Sequence, residues 1–303
     1  MACSDVPPRL PFLRFEGIAG RGGMSTVWRA WHMELHRYVA VKVLDKNFAA
    51  SGQDIRQFMV EVRTMSQLNH PGIVRGYDAD YADGRYYFIM DYVDGYTFGS
   101  LLERKSSISQ ADALVICESV ASAMKYAWDT FGIVHCDMKP ENLMVDRDGT
   151  VKITDLGLCQ SQHALQSNGT EVSSDEVIGT PAYISPEQVY GDVALDCRAD
   201  IYSLGATLYH LTTGRTLFPG ANNDDILRAH ADPNQAAVDP RQFVPSLSPS
   251  FVYFLARMLV KDRDRRYPTW DVVARDAQIV ERGGAVLPPS SSVATSVCFD
   301  GVA

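Results

Sequence analysis

The sequence has no run approaching the roughly 18 consecutive apolar residues that a membrane-spanning helix requires. Its first residues, MACSDVPPRLPF, lack the apolar stretch of a secretory leader. Six cysteines (Cys3, Cys117, Cys136, Cys159, Cys197 and Cys298) contain no CxxC spacing, which argues against a zinc ribbon or a dithiol redox motif and fits reduced thiols in a cytosolic protein. Basic residues are in deficit, 28 Lys and Arg against 37 Asp and Glu, for a net charge of −9. So acidic a chain gains little from counterion release, and nucleic-acid binding is disfavoured. No internal repeat is visible, and no GK[ST] follows the glycine-rich stretch near residue 20, so a Walker loop is excluded. The expectation is a cytoplasmic chain without a membrane segment, or the cytosolic part of a longer anchored protein.

What is present suffices for a large core: 303 residues, 46% of them hydrophobic. Residues 1–11 are Pro-rich and read as a lead-in segment. From 12 to 45, FLRFEGIAGRGG, STVWRAWHM and YVAVKVL are strand-like and punctuated by glycine. Residues 54–68 place Ile55, Phe58, Met59, Val62, Met65 and Leu68 at helical spacing, and HPG at 70–72 ends the pattern. Strands resume at IVRGYDADY and RYYFIMDYV around a turn at Ala82-Asp83-Gly84. Beyond Gly95 the character becomes helical, with long patterns over 109–130, capped by Ser109, and over 199–213 and 249–260. Residues 159–180 read as a long loop, of the kind that is functional or disordered, and 283–303 as a flexible tail. The junction falls near 91–95, and such junctions favour ligand sites.

Gly20-Arg21-Gly22-Gly23-Met24-Ser25 lies between two strand patterns, where glycines let backbone approach a phosphate. Lys42 follows in the apolar strand VAVK, and Glu61 in the next helix offers it a partner charge. Taken singly these are equally a hairpin turn, a solvent-facing lysine and a surface glutamate. His135-Cys136-Asp137-Met138-Lys139-Pro140-Glu141-Asn142 is more informative. It sets on one loop a carboxylate able to orient a hydroxyl, a cation for a phosphate and an oxygen ligand for Mg²⁺. Asp155-Leu156-Gly157 then adds a hard carboxylate suited to Mg²⁺.

In order, GRGGMS, VAVK, HCDMKPEN, DLG and SPE match the ordered motif set of protein kinases. The sequence resembles the Hanks-type Ser/Thr protein kinases, particularly their bacterial branch, over about residues 12–280; GGMSTVW, LNHPGIV, GTPAYISPEQ and DIYSLGATLYHLTTG carry the likeness. The resemblance implies an α+β, bilobal protein-kinase fold: an N-lobe (12–91) of antiparallel sheet plus one main helix, a hinge at 91–95, and a mostly helical C-lobe (96–282). It implies a Ser/Thr protein kinase using ATP and Mg²⁺, or Mn²⁺ in its place, on a protein substrate. Gly20, Gly22, Gly23 and Ser25 would cover the phosphates, with Ser25 standing where the third glycine is usual. Lys42, paired with Glu61, would hold the α- and β-phosphates. Asp137 would be the catalytic base, Lys139 would stand beside the γ-phosphate, and Asn142 and Asp155 would bind the metal. Val27, Ala40 and Met144 would enclose the adenine, with Met90 as gatekeeper and the backbone of Asp91 and Val93 at the base edge. Lys139 and Thr180 mark the Ser/Thr rather than the Tyr branch; Asp200 would brace the catalytic loop, and Glu187 would pair with Arg266.

One position departs from the pattern. Cys136 stands where relatives switched on by loop phosphorylation carry Arg, and a thiol cannot pair with a phosphate. Thr170, Ser173 and Ser174 remain in the loop, flanked by Glu171, Asp175 and Glu176, so the expectation is weak dependence on loop phosphorylation. Redox roles for Cys136 or Cys159 are weighed against plain semi-buried thiols, which are favoured because no cation flanks either. Two other functions compete: a pseudokinase that binds ATP as a scaffold, and a small-molecule phosphotransferase. The presence of Lys42, Asp137, Asn142 and Asp155 disfavours the first, and the segment GTPAYISPEQ the second.

Overall fold

A computed structural model describes residues 6–23, 25–45, 52–156, 179–192, 194–286 and 299. The N-terminal lobe is a five-stranded antiparallel sheet of β1 (Leu13–Arg21), β2 (Ser25–His32), β3 (Arg37–Leu44), β4 (Gly76–Ala82) and β5 (Arg85–Asp91), in the order β1-β2-β3-β5-β4. Successive side chains of a strand point to opposite faces, so β3 divides. Val39, Val41 and Val43 join Leu13, Trp28 and Ile89 in one buried cluster. Ala40 and Leu44 join another, with Phe58, Val62 and Met65 of helix α1 (Gly52–Gln67). The same alternation puts Lys42 on the α1 side, which the cleft below the sheet shares.

The expected helix over 54–68 is α1, begun slightly earlier. The strand expected from Ile73 starts only at Gly76; Ile73 instead bridges to Ile153 in the C-terminal lobe. The lead-in is not loose at its described end. Arg85 donates to Val6 O at 2.8 Å, Arg9 N donates to Asp83 Oδ2 at 2.7 Å, and Leu10 is buried.

The C-terminal lobe is mainly helical: α2 (Phe98–Lys105), α3 (Gln110–Phe131), α4 (Pro186–Val189), α5 (Cys197–Thr213), α6 (Asn223–Ala231), α7 (Pro249–Met258) and α8 (Trp270–Glu281). A small sheet of β6 (Gly95–Thr97), β7 (Leu143–Asp146) and β8 (Val151–Ile153) faces the cleft. Ser109 caps α3, its hydroxyl accepting Asp112 N at 3.1 Å. Helix α5 is buried almost all round and forms the axis of the lobe. The architecture is therefore the bilobal α+β fold. Among the described residues, no helix is long and apolar enough to cross a membrane.

The segment expected to be a flexible tail departs from that reading where it is described. Gly283 N and Gly284 N donate to Val280 O and Ile279 O at 3.0 and 2.8 Å. Phe299 is buried, bridged to Ala237, with its ring 6.0 Å from that of Tyr209, because the lobe's apolar core extends to accept it.

Candidate active site

Between the lobes lies a cavity of about 570 Å³. Its walls carry every site residue expected from the sequence. Gly20, Gly22, Gly23, Ser25, Val27, Ala40 and Lys42 come from β1–β3 and their turn, and Glu61 from α1. Met90, Asp91 and Val93 come from the crossing between lobes, and Asp137, Lys139, Asn142, Met144 and Asp155 from below. In the glycine turn, Gly22 N donates to Ser25 O at 2.8 Å. Met24 lies outside the described residues.

Strand alternation aims Lys42 inward, where it meets two acids. Its Nζ donates to Glu61 Oε1 and Oε2 at 2.6 and 2.8 Å, and to Asp155 Oδ1 at 2.7 Å. Burial opposes the ammonium charge, but Glu61 and Asp155 outweigh it and raise the Lys42 pKa above its ordinary value. Burial likewise opposes the Asp155 carboxylate, yet Lys42 and the Thr154 hydroxyl hold it below the usual range. Burial raises the Glu61 pKa, opposed by Lys42 and reinforced by Asp155.

The loop His135–Asn142 is fixed from beneath by α5. Asp200, fully buried on that helix, accepts His135 N at 2.6 Å and Cys136 N at 2.9 Å. Burial raises its pKa to about 6, opposed by His135 and the two N–H groups. Thr207, on the same helix, donates to Met138 O at 3.2 Å. His135 Nδ1 accepts Asp137 N at 3.2 Å, which assigns the proton to Nε2, 3.1 Å from Thr154 O. Cys136 adopts φ +65° and Asp155 φ +54°, both in the left-handed region that disfavours side chains. The surrounding bonds hold this strain at the site.

Asp137 is the meeting point. Lys139 Nζ is 2.6 Å from its Oδ2, and Asn142 Nδ2 donates to its O and Oδ2 at 2.9 and 3.2 Å. Thr180 donates to Asp137 Oδ1 twice, through N at 2.9 Å and Oγ1 at 2.6 Å, and accepts Lys139 Nζ at 2.7 Å. A backbone crossing sets this register: a Cβ on Gly179 would lie 2.9 Å from Cys136 O, and Gly179 has φ +127°. Gln188 Nε2 donates to that same carbonyl at 2.7 Å. Arg266 holds Glu187 in a buried two-pronged pair at 2.7 and 3.1 Å.

Residues 13–276 match the family model described as "Protein kinase domain". The chain belongs to the protein kinase domain family. This kinase domain is 34% identical over 259 residues to the serine/threonine-protein kinase PrkC of Bacillus subtilis, which covers 86% of the chain and 39% of that protein. It is 36% identical over 265 residues to a probable serine/threonine-protein kinase of Streptomyces coelicolor, covering 86% and 38%. It is 33% identical over 271 residues to PknB of Mycobacterium tuberculosis, covering 88% and 42%. The chain thus spans about two-fifths of the length of these curated relatives.

In this kinase domain, Cys136 is buried against Val134 and Ala199, with its Sγ 3.8 Å from Val134 O. That packing agrees with the reading of a small buried thiol. Gly157, Cys159, Thr170, Ser173 and Ser174, with the acids Glu171, Asp175 and Glu176, lie outside the described residues. Leu44, Phe58, Val74, Thr97, Glu141 and Thr154 also stand on the cleft wall, and no sequence motif marks them as site residues. For Leu44 a signal existed, since it shares a strand face with Ala40 and Lys42. Phe58 and Val74 carried no signal beyond apolar character.

Proposed function

We propose that this domain, spanning 12–282 with its hinge at 91–95, transfers the γ-phosphate of ATP directly to a Ser or Thr hydroxyl of a protein substrate in the cytoplasm. The observation that carries the reading is the Asp137 cluster. An ammonium group and an amide stand within hydrogen-bond reach of one carboxylate, facing a cavity that also holds Lys42 and Asp155. Relatives named as serine/threonine-protein kinases support the choice of acceptor.

In this reading Lys42, kept cationic by its two acids, holds the α- and β-phosphates, and the turn Gly20–Gly23 lies over them. Asp137 orients the acceptor hydroxyl and receives its proton as the phosphorus–oxygen bond forms. Lys139 balances the charge on the transferring group. ADP leaves with the electron pair of the broken bond, with no covalent enzyme intermediate. Among the described residues, no group of three or more His, Cys, Asp and Glu could hold a metal ion. Mg²⁺ needs no such group, since it keeps several waters and takes one or two carboxylates together with phosphate oxygens. Asp155 and the amide oxygen of Asn142 would hold it, and it would neutralise phosphate charge.

Because Cys136 offers a buried thiol where an arginine would receive a loop phosphate, activity is proposed to depend weakly on phosphorylation of Thr170, Ser173 or Ser174. Transfer from radiolabelled Mg·ATP to a generic basic protein tests both statements. Wild type is expected to label the substrate and Asp137→Asn to fall by about a hundredfold or more. Equal labelling by both would favour an ATP-binding scaffold instead. Phosphatase-treated enzyme and the Thr170/Ser173/Ser174 triple Ala variant are expected to stay within about tenfold of untreated enzyme, since position 136 carries a thiol rather than an arginine.

A further inference from the structure

The back wall of the cleft is clamped from the edge of the sheet. β4 and β5 pair in register from Ala82↔Arg85 to Asp78↔Ile89, and the next pair is Gly76↔Met90. Tyr77 is the extra residue of the resulting bulge, and bulges re-aim side chains. Gly76 permits the close approach, since a Cβ there would lie 2.4 Å from Phe88 Cζ. Thus directed, the Tyr77 hydroxyl donates to Asp91 Oδ1 and accepts Arg37 Nη1 at 2.9 Å. The Arg37 guanidinium also lies over the Tyr77 ring, 4.0 Å from its centroid. Arg75 N donates to Asp91 Oδ2 at 3.3 Å, and Arg75 O accepts Asp91 N at 2.9 Å. Both carboxylate oxygens and the N–H of Asp91 are therefore held by β4 and the residue before it.

Asp91 is the last residue of β5, where the chain leaves for the other lobe, and with Tyr92 and Val93 it lines the cleft. The path of this backbone decides where its peptide groups stand for a purine edge. Neither Tyr77 nor Arg37 lines the cavity. We propose that Tyr77, steadied by Arg37, is a positioning residue for the nucleotide base: by fixing Asp91 it fixes the peptide groups that the base meets. The inference rests on the reading of the cleft as an ATP site. Burial and the neighbouring Asp91 both raise the Tyr77 pKa, so its hydroxyl remains a donor at neutral pH.

The test is calorimetric titration of wild type, Tyr77→Phe and Arg37→Met with adenosine and with Mg·ATP, alongside melting curves. Adenosine carries the base without phosphates, so it reports the hinge separately from Lys42. Tyr77→Phe is expected to weaken both ligands by about fivefold, the effect of loosening a charge-assisted hydrogen bond one step from the ligand. In turnover, KM for ATP should rise by a similar factor with kcat little changed. Arg37→Met should act in the same direction, and it carries the test should Tyr77→Phe not fold. If wild type binds both ligands and the folded variants match it within about twofold, this inference alone is overturned. It is also overturned if only Mg·ATP is weakened. Failure of wild type to bind either ligand would overturn the reading of the cleft, and this inference with it.

Discussion

Thr180 has a single hydroxyl between two charged groups, donating to Asp137 and accepting from Lys139. It therefore ties both members of the Asp137–Lys139 ion pair to the segment that follows Gly179. Thr180→Val keeps the side-chain shape and deletes both bonds. A loss of about tenfold in kcat is expected from misplacement of Asp137 and Lys139, with Thr180→Ser restoring most of it. Steady-state kinetics with saturating ATP would read the difference. Equal losses in the Ser and Val variants would point to packing of the methyl group instead.

At the scale of elements, α5 holds the loop His135–Asn142 through Asp200 and Thr207, and two further buried polar contacts join its neighbouring elements. Arg266 joins Glu187 of α4 and also donates to Val260 O at 2.9 Å and Lys261 O at 3.2 Å. Arg266→Met would strand the Glu187 carboxylate out of water and is expected to lower stability by about 3 kcal/mol. The Arg266→Met/Glu187→Gln pair should lose less than the sum of the single changes, measured by denaturant unfolding. His230, on α6, packs edge-on to Phe218 and lies 2.9 Å from the hydroxyl of Tyr202 on α5. Burial first, then Lys261, lowers its pKa from 6.5 to about 3. The unfolded chain thus takes up a proton that the folded chain refuses. The stability His230 contributes is present above pH 6.5 and is lost as pH falls towards 3. Between pH 7 and pH 5 this amounts to about 2 kcal/mol, and His230→Gln should flatten that part of the stability profile.

For the whole molecule, the two lobes meet through the crossing after β5, the Ile73–Ile153 bridge with its backbone bonds, a shared apolar core and the ion pair of Lys42 with Asp155. Ligand that binds only the folded state adds stability by mass action, about 2.7 kcal/mol at a hundred times Kd. Mg·ATP is therefore expected to raise the melting temperature, and Asp155→Ala to abolish the Mg²⁺-dependent part while leaving the shift with adenosine. A Mg²⁺ increment that survives in Asp155→Ala would remove Asp155 from the metal site.

By itself the sequence determined the elements whose signal is local and strong. The alternation of β3, the Ser109-capped α3, the apolar α5 and the loop His135–Asn142 are written in consecutive residues. Helices α2, α6 and α8 escaped because they are short or have only one apolar stripe, and their packing against the C-terminal lobe decides them. Phe299 escaped because a single aromatic residue in a polar stretch carries no period. The tertiary structure alone decided who meets whom. Lys42 meets Asp155 across 113 positions, Asp200 meets the loop from 64 positions away, and Tyr77 turns towards Asp91 at a bulge that no composition announces. Residue types and spacing specify the chemical groups. Only the closing of the sheet over α1 and of the loop His135–Asn142 over α5 brings them within hydrogen-bond distance.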